Sequence, residues 1–112
     1  MTILQLDSIE WHDLPVASLS VTDRGIELVV TPWIEATDDY SRYALHISGA
    51  DRVELNLEGA LSARDFENLE ISGLDYALSP TGRISGSIGI LPGAAGHWTI
   101  AFENAAWTLE AV

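Results

Sequence analysis

The chain has 112 residues, the size of one domain, and 47% of them are hydrophobic, so it can bury a core without a disulfide or a structural metal. Seventeen acidic residues against five arginines give a net charge of −12, which would repel nucleic acid and anionic membranes. Lysine and cysteine are both absent, which excludes lysine-dependent phosphate loops, disulfides, thiol catalysis and cysteine-ligated zinc. We therefore expect a single domain over residues 1–112.

Apolar and polar residues alternate along much of the chain, which is the period of a β-strand with one buried and one exposed face. In chain order the strand patterns cover residues 18–22, 26–30, 42–48, 52–58, 83–90 and 97–103. Exposed strand faces are typical of antiparallel sheets, so the pairing is expected to be antiparallel.

Turn signals separate these strands. Thr22–Gly25, with Gly25 at a position suited to positive φ, and Ser79–Gly82 are predicted to close hairpins. Ser48–Asp51 is predicted to be a third hairpin turn, and residues 91–96 a looser fourth turn. Because turns recur about every ten residues, the sequence predicts an all-β fold: an antiparallel sandwich or partly closed barrel of eight or nine strands.

Two places interrupt the alternation. The apolar face changes parity between Ile71 and Leu74, and Gly73 between them is predicted to mark a β-bulge. Residues 59–68 lack alternation, and Ser62 resembles a helix N-cap. At most one short helix is therefore expected, near residues 61–68.

The apolar face of each strand pattern predicts the hydrophobic core. Three of the four tryptophans are in phase with aliphatic neighbours and are expected inside. The predicted core comprises Trp11, Leu19, Val21, Ile26, Leu28, Val30, Leu45, Ile47, Val53, Leu55, Leu57, Ile84, Ile88, Trp98, Ile100, Phe102, Trp107 and Leu109.

No catalytic motif stands out, and the chain is predicted not to be an enzyme and to need no cofactor. The nearest approach to a Gly-x-Ser-x-Gly elbow, residues 82–89, has the wrong spacing and lies in a strand pattern. His12, His46 and His97 share no local metal-ligand spacing, so no metal site is predicted. A metal-dependent enzyme built on converging histidines is retained as a third hypothesis.

The segment after the second strand carries candidate binding residues. Trp33 is followed by Glu35, Asp38 and Asp39, and then by Tyr40. The Asp-x-Asp-x-Asp-Gly pattern of a calcium loop is missing, so a solvated acidic loop is favoured over calcium binding. An exposed tryptophan beside a tyrosine and carboxylates suits sugar stacking or a protein contact, whereas burial at a strand end is the alternative.

A resemblance in sequence adds two further candidate contact residues. The stretch Ile9–Asp13, followed by an alternating strand to Val21, a turn and the apolar strand Ile26–Val30, is similar to the opening of small acidic bacterial β proteins of the toxin-immunity type. In those proteins a His-Asp pair precedes the first hairpin, and the match lies on His12 and Asp13. Residues 45–55 are similar to their strand–turn–strand continuation. The resemblance implies a protein that neutralises a toxin by binding it.

The leading hypothesis is a non-enzymatic acidic binding protein, of which an immunity-type inhibitor is one form, for a basic protein partner. Its candidate contact residues are His12, Asp13, Trp33, Glu35, Asp38, Asp39 and Tyr40. The alternative is a carbohydrate- or small-ligand-binding β module that uses Trp33 and Tyr40. A homodimer through a sheet edge is compatible with either, since no lysine protects the edges. A cytoplasmic location is expected, because neither a signal-peptide pattern nor an apolar run of ~18 residues is present.

Overall fold

A computed structural model describes residues 5–34, 38–58, 63–66, 68–92 and 96–112. In chain order its strands are β1 (Leu14–Thr22), β2 (Gly25–Val30), β3 (Trp33–Ile34), β4 (Asp39–Tyr40), β5 (Tyr43–Ser48), β6 (Arg52–Leu57), β7 (Glu70–Leu78), β8 (Ile84–Leu91) and β9 (Trp98–Ala111). The prediction of an antiparallel all-β fold with eight or nine strands is confirmed. Among the described residues, no helix is long and apolar enough to cross a membrane.

Helical structure is confined to short 3-10 turns in the described part of the chain. One covers Ala63–Phe66, inside the region where a short helix was expected. Its predicted N-cap, Ser62, lies outside the described residues. A second 3-10 turn, Leu6–Ser8, precedes the first strand and was not predicted.

The strands form one closed ring with an extra strand at its side. Seven of them pair in the order β5–β2–β1–β7–β8–β9–β6, and a further pairing of β5 with β9 closes six of the seven into a ring. β6 pairs with β9 from outside this ring. β3 and β4 form a separate two-stranded ladder.

The ring closes because β1 and β9 each pass from one set of partners to another. β1 pairs first with β7 and then, past an irregularity between Val16 and Ser18, with β2. β9 pairs with β8 over residues 98–105 and with β5 over residues 106–111. Asn104, at that boundary, has a positive φ of 50°. Bends of this kind let a strand change its pairing partners, which allows six strands to close into a ring.

Two predicted hairpins and the predicted bulge are confirmed. Thr22–Gly25 joins β1 to β2, with Gly25 at a φ of 125°, and residues 79–82 join β7 to β8. The register of β7 on β8 shifts between Ile71 and Gly73, as the change of parity predicts. β8 and β9 also pair as neighbours, although the centre of their turn lies outside the described residues.

The third predicted hairpin, Ser48–Asp51, is wrong. β5 and β6 both pair with β9, β5 along its C-terminal part and β6 along its N-terminal part. β5 and β6 therefore run in the same direction, end to end along β9. Residues 48–51 interrupt this pairing instead of reversing the chain. The physical reason is the length of β9, whose 14 residues hold two shorter strands end to end.

The core fills the interior of the ring, and most of its predicted members are buried. Leu19 and Trp107 are only partly buried and pack against the core. The largest fully buried side chains are Trp98, Phe102, Leu28, Leu45, Ile47, Ile71, Ile84, Ile88, Ile90, Ile100, Leu109 and Val30.

Four predicted core residues are wrong, because they are exposed. Val21 is 39% exposed beside the β1–β2 turn, and Val53, Leu55 and Leu57 of β6 are 42%, 48% and 40% exposed. The alternation assigned the β6 residues to the correct face, since they pair with buried residues of β9. They are exposed because β6 lies outside the ring.

Candidate functional site

The main candidate site is a cavity of about 680 Å³ at the end of the sheet where β1 begins. Its apolar walls are Leu14, Pro15, Pro32, Trp33 and Tyr40, and its polar walls are Ser8, Glu10, His12, Asp13 and Thr31. Four of the seven predicted contact residues, His12, Asp13, Trp33 and Tyr40, thus line one cavity although they are distant in sequence.

The segment before β1 is held on the core by Trp11. Leu6, Ile9 and Trp11 are buried, and the Trp11 Nε1–H donates a hydrogen bond to the Leu6 carbonyl over 2.8 Å. The intervening polar residues, including Glu10 and His12, are left exposed at the cavity. A buried tryptophan therefore fixes the backbone of one wall.

Asp13 turns the chain from this segment into β1. Its φ of 58° lies in the left-handed region, which aspartate tolerates better than most residues that have a Cβ. Residues held in this conformation are enriched at functional sites. Here the conformation sets the Asp13 carboxylate beside the His12 ring, with Nε2 and Oδ2 3.2 Å apart.

His12 is oriented by two acceptors. Its Nδ1 lies 2.8 Å from the Ser72 carbonyl, which can only accept, so Nδ1 carries the hydrogen of the neutral ring. Protonation of Nε2 adds a donor facing Asp13. The Ser72 carbonyl is the largest cause that raises the pKa of His12 above 6.5, followed by Asp13, while desolvation lowers it and Glu10 and Glu70 raise it further.

An aromatic pair forms another part of the lining. Trp33 and Tyr40 are register partners of β3 and β4, with ring centroids 5.1 Å apart and ring planes at 78°. The Ser41 N–H donates to the Pro32 carbonyl over 3.1 Å and closes this small ladder. Trp33 is 49% exposed and Tyr40 65%, so Trp33 is not a buried strand end. The near-perpendicular rings form two adjoining walls.

The acidic loop takes no direct part in the cavity as far as it is described. Glu35 lies outside the described residues. Asp38 and Asp39 are exposed and do not line the cavity, and the Asp39 carboxylate accepts a hydrogen bond from the Tyr40 N–H over 2.7 Å. Asp39 therefore stabilises the position of Tyr40. Among the described residues, the carboxylates that line the cavity are Asp13 and Glu10. Sequence reasoning missed Glu10, although it lies two residues from His12.

The histidines do not gather into a metal site. His46 Nδ1 lies 3.7 Å from Glu27, and His97 Nε2 lies 3.2 Å from the Ser72 hydroxyl. Within the described ranges, no group of three or more His, Asp or Glu side chains could hold a metal ion. The Ser72–His97 contact was also missed, because 25 residues separate the pair.

The chemistry of the cavity suits a cation. Among the described residues, its lining offers two carboxylates and two exposed aromatic rings and includes no arginine. Aromatic faces attract cations, and carboxylates accept charge-assisted hydrogen bonds from guanidinium and ammonium groups. The same rings and acceptors also suit a neutral sugar, which stacks an apolar face and donates from its hydroxyls.

The chain was compared with family models, with curated proteins and with solved structures, and it matches none of them.

Proposed function

We propose that this protein is a non-enzymatic binding protein that engages a basic protein partner. One cationic side chain of the partner would enter the cavity of about 680 Å³ described above, called here the Trp33–Asp13 cavity after two of its lining residues. An immunity-type inhibitor of a basic toxin is the form of this function that the resemblance implies. The observation that carries it is the lining of the cavity, where the described residues combine Glu10 and Asp13 with Trp33 and Tyr40 and include no arginine.

The charge of the whole chain supports the same function. A net charge of −12 attracts a basic partner over long range and raises the rate of association at low salt. Long-range attraction does not by itself select a partner, so specificity must come from the cavity. An arginine is the best-matched cation, because its planar guanidinium stacks on an aromatic ring and donates to two carboxylate oxygens at once.

The first test is the binding of an arginine-rich peptide, with the same peptide carrying citrulline as the neutral control. Trp33→Ala and Asp13→Asn should each weaken binding about tenfold or more, as expected for a hot-spot ring and a charge-assisted hydrogen bond. The matched control is Asp23→Asn, which removes the same charge from the exposed β1–β2 turn. Calorimetry at low and high salt gives the affinities.

Two outcomes would contradict a cation site in the cavity. One is equal loss of affinity from Asp13→Asn and Asp23→Asn, which would show that only diffuse charge attracts the peptide. The other is unchanged affinity in Trp33→Ala. Capture of one dominant basic protein from the native host's lysate, released by high salt and lost in Trp33→Ala, would identify the natural partner.

A carbohydrate-binding module is the second candidate, favoured by the exposure of both rings of the aromatic pair. Sugar binding would shift or quench Trp33 fluorescence, would depend little on salt and would survive Asp13→Asn better than Trp33→Ala. No spectral change across a broad panel of oligosaccharides would eliminate it. The leading proposal, in contrast, includes a cytoplasmic location and the absence of catalytic activity.

A further inference from the structure

β6 is an edge strand with an apolar face. In the described part of the chain it pairs only with β9. Its residues Val53, Leu55 and Leu57 are each at least 40% exposed. Their register partners on β9 are the fully buried Phe102, Ile100 and Trp98. The apolar surface of the core thus continues onto β6 and ends there in solvent.

In the part of the chain that the structure describes, no strand pairs with the second edge of β6. An edge strand presents unpaired N–H and C=O groups, and proteins commonly block such edges with lysine, proline or a bulge. β6 contains neither lysine nor proline, and its register on β9 runs without a shift from Arg52 to Leu57. None of these protective devices is present in the strand.

The sequence of β6 is complementary to itself in one antiparallel register. With a two-fold axis at Leu55, Leu55 faces its own copy and Val53 faces Leu57, which keeps the apolar row continuous. On the other face Arg52 falls opposite Glu58, and Glu54 opposite Asn56. Each dimer would therefore contain two Arg52–Glu58 pairs. Cross-strand pairs of opposite charge and of apolar residues both stabilise a sheet.

Other registers on the same edge are worse. An axis at Val53 would place Leu55 opposite Asp51, and an axis at Glu54 would set that carboxylate against its own copy. A pairing shifted by one residue would set Leu55 opposite Glu54 or Asn56. It would therefore bring apolar side chains to the polar face, since successive residues alternate.

We propose that β6 forms the interface of a symmetric dimer, in which two copies of the chain pair β6 with β6 in an antiparallel ladder centred on Leu55. The apolar rows of both copies then cover each other, and the two sheets join across the axis. An interface of this isologous kind is the commonest one in soluble oligomers. It lies on a different set of strands from the Trp33–Asp13 cavity and does not depend on the proposed ligand.

Sedimentation velocity from micromolar to near-millimolar protein tests the dimer. The wild-type chain should dimerise, and more tightly as salt rises, because salt screens the repulsion between two chains of charge −12. This is opposite to the salt dependence expected for the basic partner. A wild-type chain that stays monomeric throughout the range would overturn the dimer.

A lysine at the axis tests the location of the interface. Leu55→Lys should raise the dissociation constant at least about tenfold, because two ammonium groups would meet there. The matched control is Leu78→Lys, at an apolar position that is 55% exposed on β7, and it should dimerise like the wild type. Equal dimerisation of both variants would exclude β6. Circular dichroism and unfolding curves establish that each variant is folded.

Charge reversal tests the register itself. Arg52→Glu alone sets the introduced carboxylate against Glu58 of the other copy, and Glu58→Arg alone sets the introduced guanidinium against Arg52, so each variant should dimerise weakly. An equal mixture of the two variants should dimerise more tightly than either alone, because both cross-strand pairs in the mixed dimer then join opposite charges. A mixture no tighter than the separate variants would overturn the Leu55-centred register.

Discussion

His12 and Asp13 show how a local conformation prepares a site. The backbone of Asp13 is in the left-handed region, which places its carboxylate beside Nε2 of His12. The Ser72 carbonyl accepts a hydrogen bond from Nδ1 of the same ring. The neutral ring makes one of these bonds as a donor, and the protonated ring makes both. The charge of the cavity therefore depends on pH, since protonated His12 partly neutralises Asp13.

We predict a raised pKa for His12 that Asp13→Asn lowers. NMR titration of the ring protons should give a midpoint above 6.5 in the wild type. The folded-state pKa is raised, so protonation stabilises the fold below the unfolded-state pKa, and this contribution is lost as the pH rises through the folded-state pKa. Binding of the arginine-rich peptide should weaken as the pH falls through the same midpoint.

The control for this titration is again Asp23→Asn, which should leave the midpoint of His12 unchanged. A midpoint that moves equally in both aspartate variants would mean that net charge, not the Asp13 contact, raises the pKa.

At the scale of elements, β6 and β9 share a face and differ in burial. Val53 is opposite Phe102 in the register, yet Val53 is 42% exposed and Phe102 only 1%. The difference follows from position, because among the described strands β9 has a neighbour on both sides and β6 has only one. Strands with the same alternation therefore make unequal contributions to stability.

We predict that Phe102→Ala costs about 3–5 kcal/mol in the free energy of unfolding, because it leaves a cavity in the core. Val53→Ala should cost less than about 1 kcal/mol in dilute solution, since it removes a side chain that is already largely solvated. Denaturant unfolding of the two variants measures both values. A small loss in Phe102→Ala would contradict the burial of Phe102 in the core.

At the scale of the whole molecule, the junction near Asn104 holds the ring closed. Arg83 Nε donates to the Asn104 carbonyl and side-chain oxygens, each over 3.0 Å, and Arg83 Nη2 donates to the Gly49 carbonyl over 2.8 Å. The Asn104 Nδ2 group donates to Asp51 over 2.9 Å. One arginine thus ties β8 to the bend of β9 and to the break between β5 and β6.

We predict that Arg83→Ala costs about 1.5–3 kcal/mol, the range for hydrogen bonds that involve a charged group. Amide hydrogen exchange should accelerate first in the β5–β9 ladder, because the junction anchors that end of the ring. Arg24→Ala, in the exposed β1–β2 turn, is the control and should have little effect. Equal effects of the two substitutions would show that the junction is not a stabilising element.

Much of the fold was predictable from sequence because the signals are local. Alternation shows which residues share a strand face, and glycine in turns such as Thr22–Gly25 reveals positive φ. The acidic charge, the strands and two of the hairpins follow from neighbours along the chain. Trp33 and Tyr40 were identifiable as candidates because few residues separate them.

The tertiary structure decided the features that depend on distant residues. Strand pairing sets β5 and β6 end to end on β9 and so turns a predicted hairpin into a break. The closure of the ring decides that Leu55 is exposed while Ile100, on the same face, is buried. The antiparallel pairing of β1 with β2 brings His12, just before β1, to the same cavity as Trp33, just after β2. Periodicity specifies the face of a strand, but burial depends on which strands cover that face, and only the pairing of the whole chain determines this.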